Sequence, residues 1–282
     1  MIRLGHLNEL TYLRRSPHGI YLVDEEETEV LLPNKYVPED LEPGEALEVF
    51  VYRDHEERPV ATTLTPYLIR GGFAHLQVKQ TTDFGAFLDW GIEKDLLVPL
   101  SEQQERMQAG TWHVVHLYLD SVTQRLVGSS KIHKFLQKEP ITVEAGQEVD
   151  LLIWKETELG FHAIVNQLHR GHLFSNEIFQ PVRVGDQLKG YVKQVREDLK
   201  IDLSLQQTGY EATLEPNSEK LLFALRANNG MLMLTDKSSP ESIKKELGMS
   251  KKAFKKAVGY LYKLRRITIE EAGIFLVQSS KG

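Results

Sequence analysis

The chain of 282 residues contains no cysteine. That excludes disulfides, zinc ribbons, iron–sulfur clusters and thiol nucleophiles together, and it suits a reducing compartment. No stretch approaches 18 consecutive apolar residues, so no membrane-spanning helix is expected. At the N-terminus, His6 and Glu9 interrupt the apolar residues that follow Met1, and no signal peptide is expected. Catalytic signatures are also missing. Gly71-Gly72 is not followed by Gly-Lys-Ser/Thr, no nucleophile elbow occurs, and no His-Glu-x-x-His occurs. His113/His116 and His169/His172 are spaced by three, but they fall in strand-like or loop segments. We expect a soluble, cytoplasmic, non-catalytic protein without metal or cofactor.

What the chain does have is a ruler of small residues. Gly19, Gly85 and Gly160 are each followed 25 residues later by Gly44, Gly110 and Gly185, and 19 residues after those by Thr63, Ser129 and Ser204. Spacing kept through three units marks an internal repeat. A unit of this length suits a small barrel. Around the first glycine the units read His18-Gly19-Ile20-Tyr21-Leu22, Phe84-Gly85-Ala86-Phe87-Leu88 and Leu159-Gly160-Phe161-His162-Ala163. Short alternation of this kind predicts half-buried strands. Fourteen residues on come Pro33, Pro99 and Phe174, each closing an apolar stretch. The second glycine opens a further strand, and the unit closes on a last one, clearest at Ile201-Asp202-Leu203-Ser204-Leu205. The fold expected is mainly β: three tandem all-β barrels over 1–63, 64–140 and 141–212. The glycines would serve as barrel corners or positive-φ positions.

Residues 213–282 follow a different grammar. Asn217 or Ser218 can cap a helix through Leu221–Arg226, and Met231–Leu234 reads as a strand. Ser239-Pro240-Glu241 caps a second helix that stops at Gly248; Ser250 caps a third, running to about Leu264; Ile267–Ile269 and Ile274–Val277 form a hairpin. That order is an α+β winged helix. Phe254, Val258 and Leu261 would face its core.

Charge separates the two parts. Residues 1–212 hold 21 Lys+Arg and 33 Asp+Glu, net −12; residues 213–282 hold 13 and 7, net +6. The first unit is the most acidic, with 6 basic and 14 acidic side chains in residues 1–63. Within 250–266 lie Lys251, Lys252, Lys255, Lys256, Lys263, Arg265 and Arg266 and no acid. Such a run is either a solvated face or a polyanion site, and lysine-rich composition favours phosphate contact over base reading.

Asp83–Leu88 with Leu97–Glu102, and Val184–Val192 with Ile201–Leu205, resemble the two halves of an S1-type RNA-binding domain, an OB-fold barrel. The resemblance implies that aromatics on adjacent strands stack on bases. Here those positions are Phe84 and Phe87, then Tyr21 with His18, and His162 with Leu159. A family position usually held by histidine falls at Pro33, Pro99 and Phe174, a departure in all three units. The family's acidic and basic pair corresponds to Asp120 and Arg125, or to Asp54 and Arg58. Stacking and core roles both stand for these aromatics. On a regular strand, Phe84 and Phe87 would point to opposite faces unless a bulge or the turn at Gly85 redirects one.

Three S1-type OB-fold barrels and a winged helix in this order resemble the bacterial conserved virulence factor B family of RNA-binding regulators. The resemblance implies a cytoplasmic regulator that binds single-stranded RNA and acts after transcription; a monomer is expected. RNA-contacting residues would be Tyr21, Phe84, Phe87, Arg125, His162, Phe174 and the seven basic residues named above. Two alternatives stay open: duplex DNA as the partner of the winged helix, and a protein partner for the acidic first barrel.

Overall fold

Each glycine-led unit folds into five strands in the same order, and the ruler marks the same places in each. The computed structural model describes residues 1–178, 180–206, 216–270 and 272–277. The first unit contains β1 (Leu7–Ser16), β2 (Gly19–Val23), β3 (Glu29–Pro33), β4 (Ala46–Arg53) and β5 (Pro59–Thr62). The second contains β6 (Phe73–Thr81), β7 (Gly85–Leu88), β8 (Leu96–Pro99), β9 (Trp112–Leu119) and β10 (Leu126–Ser129). The third contains β11 (Glu148–Thr157), β12 (Gly160–Val165), β13 (His169–Phe174), β14 (Gln187–Val195) and β15 (Ile201–Ser204). The first and third sheets close into barrels; the second has the strand order β10-β9-β6-β7-β8. The boundary expected at 212/213 lies outside the described residues.

The first glycine of the ruler is required by a close approach. Gly19, Gly85 and Gly160 pair with Pro33, Pro99 and Phe174 on the next strand. A Cβ at Gly19 would lie 2.0 Å from the Leu32 carbonyl oxygen, at Gly85 2.6 Å from that of Val98, and at Gly160 2.1 Å from that of Leu173. Only a residue without a side chain lets the two strands meet there. The second mark is a left-handed turn: Gly44, Gly110 and Gly185 have φ of 92°, 84° and 97°.

The third mark holds in two units and slips in the first. Ser129 and Ser204 end their strands opposite His116 and Tyr191, and their hydroxyls accept from the backbone N–H of Lys131 and Gln206. In the first unit the equivalent residue is Thr62, not Thr63: it lies opposite Phe50, and its hydroxyl accepts from Leu64 N–H. The connection 54–58 is one residue shorter than 120–125; the third unit's connection, 196–200, is equally short, but a bulge in β14 between Val192 and Gln194 restores the count there, and the β4–β5 pairing has none.

A repeat feature invisible in composition is a β-bulge. The pairing of the first strand with the second shifts between Tyr12 and Arg14, between Val78 and Gln80, and between Ile153 and Lys155. The bulged residues Leu13, Lys79 and Trp154 each lie six before the ruler glycine. A bulge bends the strand and re-aims side chains at a barrel rim.

Residues Met1–Thr208 form one compact unit. Phe50 and Tyr52 of the first barrel share a core with Leu76, Leu88 and Trp90 of the second, with Phe50 edge-on to Trp90 at 5.6 Å. Phe73, Val114, Ile132 and Leu136 pack with Leu152 and Ile164 of the third barrel. His116 is buried in that junction, its ring 4.2 Å from that of Phe135.

Gly209–Gly282 is the other unit. It contains α1 (Pro216–Ala227), β16 (Met231–Leu232), α2 (Pro240–Leu247), α3 (Lys251–Lys263), β17 (Ile267–Glu270) and β18 (Gly273–Leu276), with sheet order β16-β18-β17. Ser239 caps α2 through Ser242 N–H, Gly248 ends it at φ 61°, and Ser250 caps α3 through Ala253 N–H. Phe254, Ala257 and Leu261 are buried and Val258 packs against them. Two expectations are corrected. Asn217 and Ser218 lie inside α1, which begins at Pro216, because proline's fixed φ already suits the first helical turn. The strand expected over Met231–Leu234 stops at Leu232, where its pairing with Ile274 ends.

Candidate nucleic-acid interface

The bulge and the glycine together build one face at equivalent positions of all three barrels. The bulge sets Arg14, Gln80 and Lys155 opposite Tyr21, Phe87 and His162, which in turn lie opposite Leu31, Leu97 and His172. What differs is the chemistry placed on that frame.

In the first barrel, the Arg14 guanidinium covers Tyr21 at 3.8 Å from the ring centroid and also pairs with Glu29 at 2.6 Å. Tyr21 is therefore already stacked on a cation. In the second barrel, Phe84 sits in the turn just before β7 and is 60% exposed. Its ring meets that of Phe87 edge-on, 5.7 Å apart at 89°. The turn resolves the spacing problem, because Phe84 precedes the strand and is not bound by its alternation. Phe84, Phe87 and Arg125 line one cleft of about 210 Å³ with Glu57, Trp90 and Lys94.

The acidic–basic pairs divide. Arg58 grips Asp54 with two nitrogens, at 3.0 and 2.8 Å. Asp120 and Arg125 form no such pair: Asp120 caps its own turn through Val122 and Thr123 N–H, and Arg125 reaches Glu57 of the first barrel at 3.3 Å. The third barrel has a pair that sequence reasoning missed, Arg196 with the buried Asp202 at 2.9 Å.

The third barrel also holds a ladder of rings. Trp154, at the bulge, stacks on His162 at 5.7 Å and 23°; His162 meets His172 at 5.0 Å; His172 meets Phe174 at 4.3 Å. Arg196 stands 5.7 Å from the Phe174 centroid. Burial, then the Arg170 and His172 charges, push His162 down to about 4; burial also lowers His172. At neutral pH the His162 ring is uncharged. Its Nε2 then accepts from Arg170 at 2.9 Å, which leaves Nδ1–H to donate to His172 Nδ1 at 3.1 Å. The ladder is thus a neutral run of packed rings with guanidinium groups at its edges. Of its members, sequence reasoning named His162 and Phe174. Trp154, Arg170, Arg196 and the role of His172 emerge only from cross-strand register. The other spaced histidine, His169, is fully buried and held by Gln137 and Thr142. Among the described residues, no group of three or more His, Asp or Glu side chains is placed to hold a metal ion.

Burial lowers His116 to about 4 as well, and its Nδ1 is buried with no partner among the described residues. The unfolded chain binds this proton near 6.5 and the folded chain only near 4. Stability is therefore complete above about 6.5 and falls as pH drops through that window. At about pH 5 the expected loss is about 2 kcal/mol from His116. Urea denaturation should show a smaller loss between neutral pH and about pH 5 in His116→Phe than in the wild type.

In α3, Lys252, Lys255, Lys256 and Lys263 are exposed and Lys251 is half-buried; Arg265 and Arg266, also exposed, follow the helix. The first turn of α3 carries lysines and no acid, whereas α1 and α2 carry Glu219 and Glu241 there and basic residues in their last turns. Cations at a helix N-terminus oppose the helix dipole. Those lysines are not placed for the stability of the helix.

The S1 domain model matches residues 4–64 and 71–130, and the CvfB-like winged helix domain matches residues 219–276. The chain is 26% identical to conserved virulence factor B of Staphylococcus epidermidis over 277 residues, covering 95% of this chain and 90% of that protein. Over nearly its whole length the chain is similar to the conserved virulence factor B proteins, and it carries the S1 and CvfB-like winged helix domains. A further relative is the uncharacterized protein YitL of Bacillus subtilis, 28% identical over 93% of this chain and 90% of its own length. Among solved structures, a multidomain protein with nucleic acid binding domains from Streptococcus pneumoniae matches at 23% identity and TM-score 0.44, covering 97% of this chain and 98% of that one. The S1 and winged-helix domains support nucleic-acid binding. No helix among the described residues is long and apolar enough to cross a membrane.

Proposed function

We propose that this chain is a non-catalytic RNA-binding protein that regulates gene expression after transcription. Single-stranded RNA is held in two ways: bases stack on the second and third barrels, and phosphates are neutralised by the basic helix α3. The observation that carries this reading is the ring ladder of the third barrel. Trp154, His162, His172 and Phe174 form a run of π-faces bordered by Arg170 and Arg196. Stacking of this kind tolerates any base and is worth about 1–3 kcal/mol per base. It needs bases that are free of a duplex, which single strands offer and duplexes do not.

The second barrel offers a smaller platform, Phe84 with Phe87. The first offers the least, since Tyr21 is covered by Arg14 and its barrel is acidic. Lysine-rich α3 supplies charge without base reading. The test is a fluorescence-anisotropy titration of the full chain with a labelled single-stranded RNA and a length-matched DNA duplex, each at two salt concentrations. Tighter, salt-sensitive binding of the RNA is expected. Preference for the duplex would transfer the function to transcription, and binding of neither would refute the reading.

A further inference from the structure

The cleft between the first and second barrels contains a group that does not belong in a plain phosphate site. Glu57 comes from the β4–β5 hairpin of the first barrel and lines the same cleft as Phe84 and Phe87 of the second. Its backbone is left-handed, φ 63°, at a turn where its N–H is held by the Asp54 carbonyl and its carbonyl by Arg53 Nη1 at 2.7 Å. The carboxylate is held from the other side by two cations: Lys94 Nζ at 3.4 Å and Arg125 Nε at 3.3 Å, both to Oε1. Lys94 is itself fixed by the Asp54 carbonyl at 2.8 Å, and its own carbonyl accepts from Trp90 Nε1. The result is a buttressed carboxylate beside an exposed aromatic ring.

We infer that this cleft is a single-base pocket selective for guanine, with Glu57 as its specificity-determining residue. The inference rests on the RNA-binding reading above and names the base that this barrel takes. A base lying on Phe84 and Phe87 presents its edge to the walls of the cleft. A carboxylate is acceptor-only and has room for several donors, so Oε1 can keep its cations and still accept another bond. The Watson–Crick edge of guanine offers two adjacent donors, N1–H and N2–H, which fit a carboxylate side by side. Adenine and cytosine each offer one donor next to a ring nitrogen that is an acceptor. Uracil offers one donor between two carbonyl oxygens. Each of these three sets an acceptor against the carboxylate. A single strand exposes this edge, which a duplex hides.

The experiment is an anisotropy titration of the full chain with a short uridine-only RNA and with three strands in which one central uridine is replaced by guanosine, adenosine or cytidine. Wild type and Glu57→Gln are compared, with Glu57→Asp as a second variant that keeps the charge but shortens the reach. A matched pair of hydrogen bonds discriminates by about tenfold or more. The guanosine strand should bind wild type about tenfold more tightly than the others, and both variants should lose that preference while still binding the uridine strand. Equal binding of the four strands by wild type would overturn the guanine pocket and leave RNA binding intact. A uniform gain in affinity for Glu57→Gln, without change in preference, would also overturn it and make Glu57 a repellent of phosphate. Failure of every strand to bind would overturn this inference together with the function it rests on.

Discussion

Replacing Lys251, Lys252 and Lys255 together by glutamine should weaken single-stranded RNA binding on the order of a hundredfold at about 0.1 M salt. The figure follows from counterion release. Each phosphate neutralised on a single strand contributes about 0.7 to the slope of log affinity against log salt, so removing three of these lysine–phosphate pairs lowers the slope by about 2. The same substitution should leave the winged-helix unit at least as stable as before. These lysines occupy the first turn and a half of α3, where positive charge opposes the dipole, and no acid stands in that turn to offset it. Helix stability would not fall, whereas affinity would. Measuring the salt slope of binding and the thermal transition on the same protein separates the two effects. Loss of affinity with an unchanged slope would mean that α3 acts through folding rather than through phosphate.

The second large effect is expected at Gly160. A Cβ there would lie 2.1 Å from the Leu173 carbonyl oxygen and 2.9 Å from Ser175 N, and the residue has φ 139°. Both obstacles are backbone, so no side-chain rotation relieves them. The β12–β13 strands would have to part, at a cost of about 3 kcal/mol or more. Gly110→Ala is the matched comparison. It shares the positive φ, 84°, but faces open space, so only the left-handed penalty applies, about 1–2 kcal/mol. Native-state hydrogen exchange of the amides in β12 and β13 is the appropriate readout, because a chain of several domains need not unfold in one step. Equal protection in Gly160→Ala and wild type would contradict the close-approach explanation.

These two sites show what the sequence made legible and what it did not. The barrels were readable because their glycines are dictated by local backbone contacts that recur in every copy. The same reasoning slipped at Thr63, since a constant spacing does not register a short hairpin that no bulge makes up, as one does in β14, and the structural equivalent is Thr62. The winged helix was readable from its caps, Ser239, Gly248 and Ser250, each of which has a local bond or backbone conformation behind it. The helix start was misplaced at Asn217 or Ser218, because capping residues invite that reading while Pro216 outranks them as a first helical residue.

The stacking surfaces were only half visible. Phe84 and Phe87 stood out as aromatics, yet their shared face depends on the turn before Gly85. Trp154, His172 and Arg196 are separated by 18 and 24 residues and come together only through the bulge, the β12–β13 register and the pairing of β15 with β13 and β14. Trp154 left no periodic signal, since the equivalent bulge positions hold Leu13 and Lys79. Glu57 was beyond reach. Its neighbours Lys94 and Arg125 belong to another barrel, and packing between repeats leaves no periodic trace in the chain.

In the proposed function, RNA lies on the aromatic faces of the barrels as well as on the basic helix. Zero-length ultraviolet crosslinking of the full chain to a uridine-rich single strand, with mapping of the crosslinked peptides, tests it most directly. Crosslinks are expected at the β11–β13 ladder around Trp154 and Phe174, at Phe84 and Phe87, and along α3. Crosslinks confined to α3, with none on any barrel strand, would contradict it.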